Sequence, residues 1–218
     1  MASIKKVTDW ADIEIDPDEK KVWVIERWAF HWTLGPGVSA WTPEEQGDFY
    51  RALFTQIART FQGATLSLSG TADLCQSVKS MSLVFAIGWT PEPYQQWSAF
   101  VRKLPADYKP TTFPNWVDCS SRTIHLNNVA TKSYSPCNDA GECRRDFQAL
   151  PHEFIHTLRG TVPVGEACTN ADEYHADDPY LDDTDSILNI GNQLRGRHVQ
   201  VIVDTLNTMV PNCTFSYP

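Results

Sequence analysis

The sequence predicts an α+β fold: a mixed sheet packed by helices, one of which carries two histidines in a chemically distinctive spacing. Three observations lead there. A strand pattern, a helix pattern and further strand patterns follow one another from Lys21 to Trp89, the opening expected of helices laid on a sheet. The stretch Ser82–Trp89 is nearly all apolar, as a strand covered on both faces is. Finally, LPHEFIHTL at Leu150–Leu158 places H-E-x-x-H among apolar residues at helical spacing.

Taken in order, residues 1–20 are polar and acidic and read as a loosely held lead-in. Residues 21–218 then form a single domain, a size one hydrophobic core can serve. Lys21–Trp32 is rich in aromatic and β-branched residues and reads as a strand, broken by Gly35-Pro36-Gly37. Thr42-Pro43-Glu44-Glu45 starts a helix, with a capping Thr, Pro in the first turn and Glu three residues after the cap. Phe49, Leu53, Ile57 and Phe61 follow at helical spacing, Phe54 and Ala58 widen the stripe, and Gly63 ends it. Ala64–Ser69 and Ser82–Trp89 are strands, the second central. From Thr90 to Ser135 the pattern is weak, except that Arg122–Asn127 alternates as a half-exposed edge strand does. A helix is expected over about 141–158, with Phe147, Leu150, Phe154, Ile155 and Leu158 inward and a kink or restart at Pro151. A last helix runs from about Arg197 to Met209, carried by Val199, Ile202 and Leu206.

Charge narrows the function classes. A net charge of -9 argues against a nucleic-acid backbone or an anionic membrane as partner. The acids cluster: eight lie between Glu166 and Asp185, and no Lys or Arg occurs between Arg159 and Arg195. The start, MASIKKVTDWADIEID, lacks the apolar core of a secretory signal, and no apolar run is long enough for membrane insertion. The six cysteines include no C-x-x-C pair, which disfavours a zinc ribbon. Cys137 and Cys143 flank the loop NDAGE and can close as a local disulfide where the compartment permits.

On a helix, positions i and i+4 share a face, so His152 and His156 can both direct a ring nitrogen at one cation. Glu153 lies close enough to hold a metal-bound water and take its proton. Zinc suits imidazole ligands and makes such a water acidic enough to attack a carbonyl. Chance does not explain the match, since composition predicts about 0.007 occurrences in a chain of this length. A hydrolytic zinc needs a third protein ligand, and position 162, where a compact metzincin pattern would place His, is Val. On the chemistry alone the acidic block offers Glu166, Glu173, His175, Asp177 and Asp178.

One combination extends the motif: His152-Glu153-Phe154-Ile155-His156, then Asp172-Glu173-Tyr174, then Asp185-Ser186-Ile187-Leu188-Asn189-Ile190-Gly191, then Arg195-Gly196-Arg197-His198. Together these resemble bacterial zincin metallopeptidase toxin domains, some carried at the C-terminus of type VI secretion spike proteins. The resemblance implies a zincin-like fold with a small, mostly antiparallel sheet. It also implies one catalytic Zn2+ held by His152, His156 and Glu173, with Glu153 as general base. His198 can steady the oxyanion, as can Tyr174 or Tyr180, or it can pack structurally. Arg122–Asn127 can line the cleft and pair with an extended peptide.

The expected function is that of a zinc metalloendopeptidase acting on protein or peptide as an antibacterial effector. Its expected partners are a secretion spike and a cognate immunity protein. Export by a non-classical route into the periplasm of a target cell is expected, with a cytoplasmic site of action as the alternative. Two other readings remain open: an inactive, zinc-stabilised binding module of the same fold, and a zinc hydrolase of cell-wall peptide links.

Overall fold

Fourteen consecutive residues, Lys21–Leu34, form the central strand of a nine-stranded mixed sheet. Alternation along this strand buries Val22, Val24, Glu26 and Trp28 on one face. The computed structural model describes residues 1–105, 107–108, 115–132, 135–158, 168 and 170–218. In chain order the elements are β1 (Ile4–Val7), β2 (Asp12–Asp16), β3 (Lys21–Leu34), α1 (Pro43–Thr60), β4 (Thr65–Gly70), α2 (Asp73–Ser77) and β5 (Ser80–Trp89). They continue with β6 (Trp97–Lys103), β7 (Trp116–Asp118), β8 (Thr123–Asn127), α3 (Ala149–Thr157), α4 (Gly196–Met209) and β9 (Cys213–Ser216).

The α+β class stands, but the sheet is not small. Its order is β7-β8-β6-β3-β5-β4-β9, with the β1–β2 hairpin joined to the first half of β3. The pairings of β3 with β5, β3 with β6 and β6 with β8 are parallel, and the remaining pairings are antiparallel. Parallel neighbours need a crossover, and α1 supplies the one between β3 and β5. Its N-terminus carries the expected capping box: Glu45 N donates to Thr42 Oγ1, and Thr42 N donates to the Glu45 carboxylate. Phe49, Leu53 and Ile57 are buried, while Phe54 and Ala58 face outward, so the apolar stripe is narrower than expected.

Three other expectations are corrected. The polar lead-in is two strands, β1 and β2, and Trp10, Ala11, Ile13 and Ile15 are buried. Its acids occupy the alternate, outward positions, which hid a period-two pattern under an acidic composition. Arg122–Asn127 is not the sheet's edge, because β7 pairs with β8 and Trp116 stacks on His125 at 4.2 Å. The helix expected over 141–158 is only α3, nine residues long. Pro151 falls in its first turn, where a backbone N–H has no partner within the helix, so no kink forms.

Phe154 seats α3 on the sheet through ring contacts with Trp28 and Phe85, and on the end of α1 through Phe61. Disulfides join Cys75 to Cys213, Cys119 to Cys168, and Cys137 to Cys143 as expected. Among the described residues no helix is long and apolar enough to cross a membrane.

Candidate metal centre

All nine residues of α3 are buried, so its two histidines are fixed by their surroundings. His152 Nδ1 donates to the Ile187 carbonyl at 2.6 Å, and His156 Nδ1 donates to the Asn170 carbonyl at 2.6 Å. A carbonyl only accepts, so each ring keeps its proton on Nδ1 and turns the Nε2 lone pair inward. This is how protein frameworks orient metal-ligating imidazoles.

The two Nε2 atoms lie 3.2 Å apart, and Asp172 Oδ1 is 3.0 Å from His152 Nε2 and 3.1 Å from His156 Nε2. Two lone pairs and a carboxylate oxygen at such distances repel unless a positive charge sits among them. Tetrahedral zinc with ligands at about 2.0–2.1 Å spaces them by about 3.3 Å, close to what is seen. The three groups can therefore hold a metal ion. Without one, a proton takes that place. Burial resists charging His156, but hydrogen bonding and charge from Asp172 outweigh it and carry its pKa up to about 9. Burial likewise opposes ionisation of Asp172, and the two imidazoles overcome it, holding this carboxyl well below the usual range. Tyr174 Oη donates to Asp172 Oδ2 at 2.9 Å, which leaves Oδ1 to the histidines.

These groups line a cleft of about 320 Å³, walled also by Asn115, Trp116, Val117 and Cys168. Glu153 lies in it, only 3% exposed, and burial raises its pKa against the pull of His152 and His156. A carboxylate held nearly dry beside a cation site is suited to accept a proton.

Comparison with known proteins returns no relative: no family model, no curated protein and no solved structure matches the chain. The chemistry rests on the side chains.

Four of the residues singled out from sequence meet here: His152, Glu153, His156 and Tyr174. Glu173 does not join them. Its carboxylate accepts from Arg197 Nε at 2.6 Å and Nη2 at 2.8 Å, from His198 Nε2 at 3.1 Å, and from Ser186 Oγ. Burial opposes its ionisation, but these donors, Arg197 first, bring its pKa down to about 2. The residue that reaches the histidines is its neighbour Asp172. The partners that draw Glu173 away, Arg197 and His198 of R-x-R-H, lie 24 and 25 residues further along the chain.

His198 is likewise placed elsewhere. Arg195 N donates to its Nδ1 at 3.1 Å, its Nε2 faces Glu173, and it does not line the metal cleft. It positions Glu173 and has no nitrogen left for an oxyanion. Among the other ligand candidates, His175 pairs with Asp139 at 3.5 Å, Asp177 is exposed, and Asp178 accepts from Tyr180 N at 2.7 Å. Glu166 lies outside the described residues. Tyr180 lies under the Arg197 guanidinium, 4.0 Å from it.

Asn170 was missed. Its backbone carbonyl fixes His156, and its side-chain amide donates to the carbonyls of Ile155, Leu158 and His198. The segment Asp185–Gly191 was quoted only as motif, yet its Ile187 carbonyl fixes His152.

Proposed function

We propose that the chain is a zinc metallopeptidase of zincin-like fold in which His152, His156 and Asp172 hold the metal and Glu153 is the general base. The convergence of two Nε2 lone pairs and Asp172 Oδ1 on one point, with Glu153 beside it, carries this reading. Zinc there supplies a Lewis acid that polarises a peptide carbonyl and acidifies water toward a pKa of about 7. Glu153 takes the proton of the attacking water and returns it to the leaving amine. Tyr174, on the cleft wall, supports a developing oxyanion by turning its one hydroxyl proton from Asp172 Oδ2 into the cleft. The terminal strand β7 contributes Trp116 and Val117 to the same wall, and its second edge suits pairing with an extended substrate. Two imidazoles and a carboxylate also suit iron(II), but the buried glutamate beside them favours hydrolysis, which needs a proton acceptor there.

The three disulfides support work in an oxidising space such as the periplasm of a target cell, after export by a non-classical route. A secretion spike and an immunity protein belong to that reading as partners.

The test is Glu153→Gln. The purified wild type is expected to carry one zinc per chain and to cut members of a peptide library. The variant keeps its zinc and loses turnover by about 10²–10⁴-fold. Hydrolysis unchanged in the variant, or iron in place of zinc, overturns the proposal.

A further inference from the structure

The cleft wall includes a covalent bond between two segments of the chain. Cys119, directly after β7, is buried, and its Sγ lies 3.5 Å from the His156 carbonyl oxygen at the end of α3. Its partner Cys168 is partly exposed and lines the cleft. Along the chain Cys168 precedes Asn170, which fixes His156, and Asp172, which faces both histidines. On the other side of Asp172, the salt bridge of Glu173 with Arg197 is a second anchor. Asp172 is therefore held on the histidines between the covalent tie at Cys168, backed by the hydrogen bonds of Asn170, and the ionic attachment of Glu173. Few residues separate Asp172 from Cys168, and each spans at most about 3.6 Å, so freeing Cys168 directly loosens the carboxylate. The other two disulfides are placed differently: one ties α2 to β9, and the other closes its own short loop.

We propose that the Cys119–Cys168 disulfide is a redox latch on the metal centre, closed in the metal-competent protein and opened by dithiol reductants. The proposal rests on the reading in which His152, His156 and Asp172 hold the metal. In the opening step a reductant thiolate attacks Cys168 Sγ, the accessible sulfur. The S–S bond breaks, and Cys119 leaves as a thiolate and takes up a proton. The second thiol of the reductant then loses its proton and displaces Cys168, which leaves as a thiol. Two electrons pass to the protein, and the reductant ends as a disulfide. Asp172 is then held only by the hydrogen bonds of Asn170 and the ion pair of Glu173, without a covalent tie, and the hold of the two imidazoles on their carboxylate partner loosens. A chain made in a reducing cytosol thus holds its metal weakly and becomes competent once oxidised.

The test measures zinc affinity by competition with a chromophoric chelator, with circular dichroism to follow folding. Cys119→Ala/Cys168→Ala is expected to bind zinc about 10–100-fold more weakly than the oxidised wild type, the usual scale for removing support from a metal ligand. Cys137→Ala/Cys143→Ala keeps wild-type affinity. Because the latch acts through Asp172, adding Cys119→Ala/Cys168→Ala to Asp172→Ala changes zinc affinity no further. A general structural role would weaken binding in both backgrounds and overturns the proposal, as does wild-type affinity in Cys119→Ala/Cys168→Ala. Should that variant fail to fold, wild type reduced with a water-soluble phosphine decides, and unchanged zinc affinity after reduction overturns the latch. Oxidised wild type that binds no zinc overturns the metal reading and the latch together. Oxidised and reduced protein binding zinc equally well overturns the latch alone.

Discussion

Asp172 and Glu173 are sequence neighbours whose carboxylates serve opposite sides of one segment: Asp172 Oδ1 sits 3.0 Å from His152 Nε2, while Glu173 Oε1 accepts from Arg197 Nε at 2.6 Å. The first faces a cation site and the second a guanidinium. Their substitutions should separate accordingly. On the proposed ligand set, Asp172→Asn is predicted to weaken zinc binding by at least about 100-fold, since a direct ligand costs more than the 10–100-fold of a supporting group. Glu173→Gln should weaken zinc by about 10-fold or less, and destabilise the fold by about 1–3 kcal/mol by leaving Arg197 and His198 short of an acceptor. Chelator competition and urea unfolding on both variants check this. The reverse pattern would restore Glu173 as the ligand.

The exchange of these two residues shows what the sequence could carry. His152 and His156 were legible because four residues is one helical turn, a purely local relation. The carboxylate that faces them was not, because whether Asp172 or Glu173 turns toward the histidines depends on which one Arg197 and His198 capture, and they lie 24 and 25 residues beyond Glu173. The same holds for strands. β3 and β5 announce themselves by runs of β-branched and aromatic residues, whereas β7 is three residues long and is defined by its pairing with β8. β2 was concealed differently: Asp12, Glu14 and Asp16 flank Ile13 and Ile15, so composition suggested a solvated tail while alternation specified a half-buried strand. Pro151 was read as an interruption because a helix beginning near residue 141 would put it in the interior.

Gly191 is predicted to be intolerant of any side chain. A Cβ there would collide with the backbone of Asp185, which cannot swing aside as a flexible side chain can. The turn is tight because Gly191 N and Asn189 N both donate to the Ser186 carbonyl, while Gln193 N donates to that of Asp185. Its purpose at the site is to present the Ile187 carbonyl to His152. Gly191→Ala should cost about 1–3 kcal/mol of stability, the usual scale of overpacking. It should also lower zinc affinity by about 10-fold through the misplaced carbonyl. A folded variant with wild-type stability and metal binding would contradict this account.

Tyr174 and His198 were both candidates to steady an oxyanion, and the structure separates them. Tyr174 borders the cleft and donates to Asp172, whereas both nitrogens of His198 are engaged away from it. Tyr174→Phe is predicted to lower kcat by about 100-fold, the scale of one lost oxyanion donor, with zinc content maintained. His198→Gln should reduce stability while kcat per zinc-loaded molecule stays near wild type. A His198→Gln variant that is stable and metal-loaded yet slow would return His198 to the proposed reaction.

Glu26 makes stability depend on pH from beneath α3. It is fully buried on β3, where Trp28 Nε1 donates to it at 2.8 Å and Thr157 Oγ1, next to His156, lies 2.8 Å from both its oxygens. Burial pushes its pKa from the ordinary 4.5 up to about 8, against the pull of the Trp28 and Thr157 hydrogen bonds. Between those values the folded chain keeps a proton that the unfolded chain has released. The group's contribution to stability is therefore complete below about pH 4.5, declines by about 1.4 kcal/mol per pH unit through the window, and is gone above about pH 8. Glu26→Gln keeps an acceptor for Trp28 and cannot ionise, so the difference in unfolding free energy between wild type and variant isolates this one proton. Urea denaturation of both at about pH 5 and about pH 8 should show wild type losing stability relative to the variant as pH rises. Parallel pH profiles for the two proteins would mean that Glu26 ionises in its normal range, and that water reaches the space between β3 and α3.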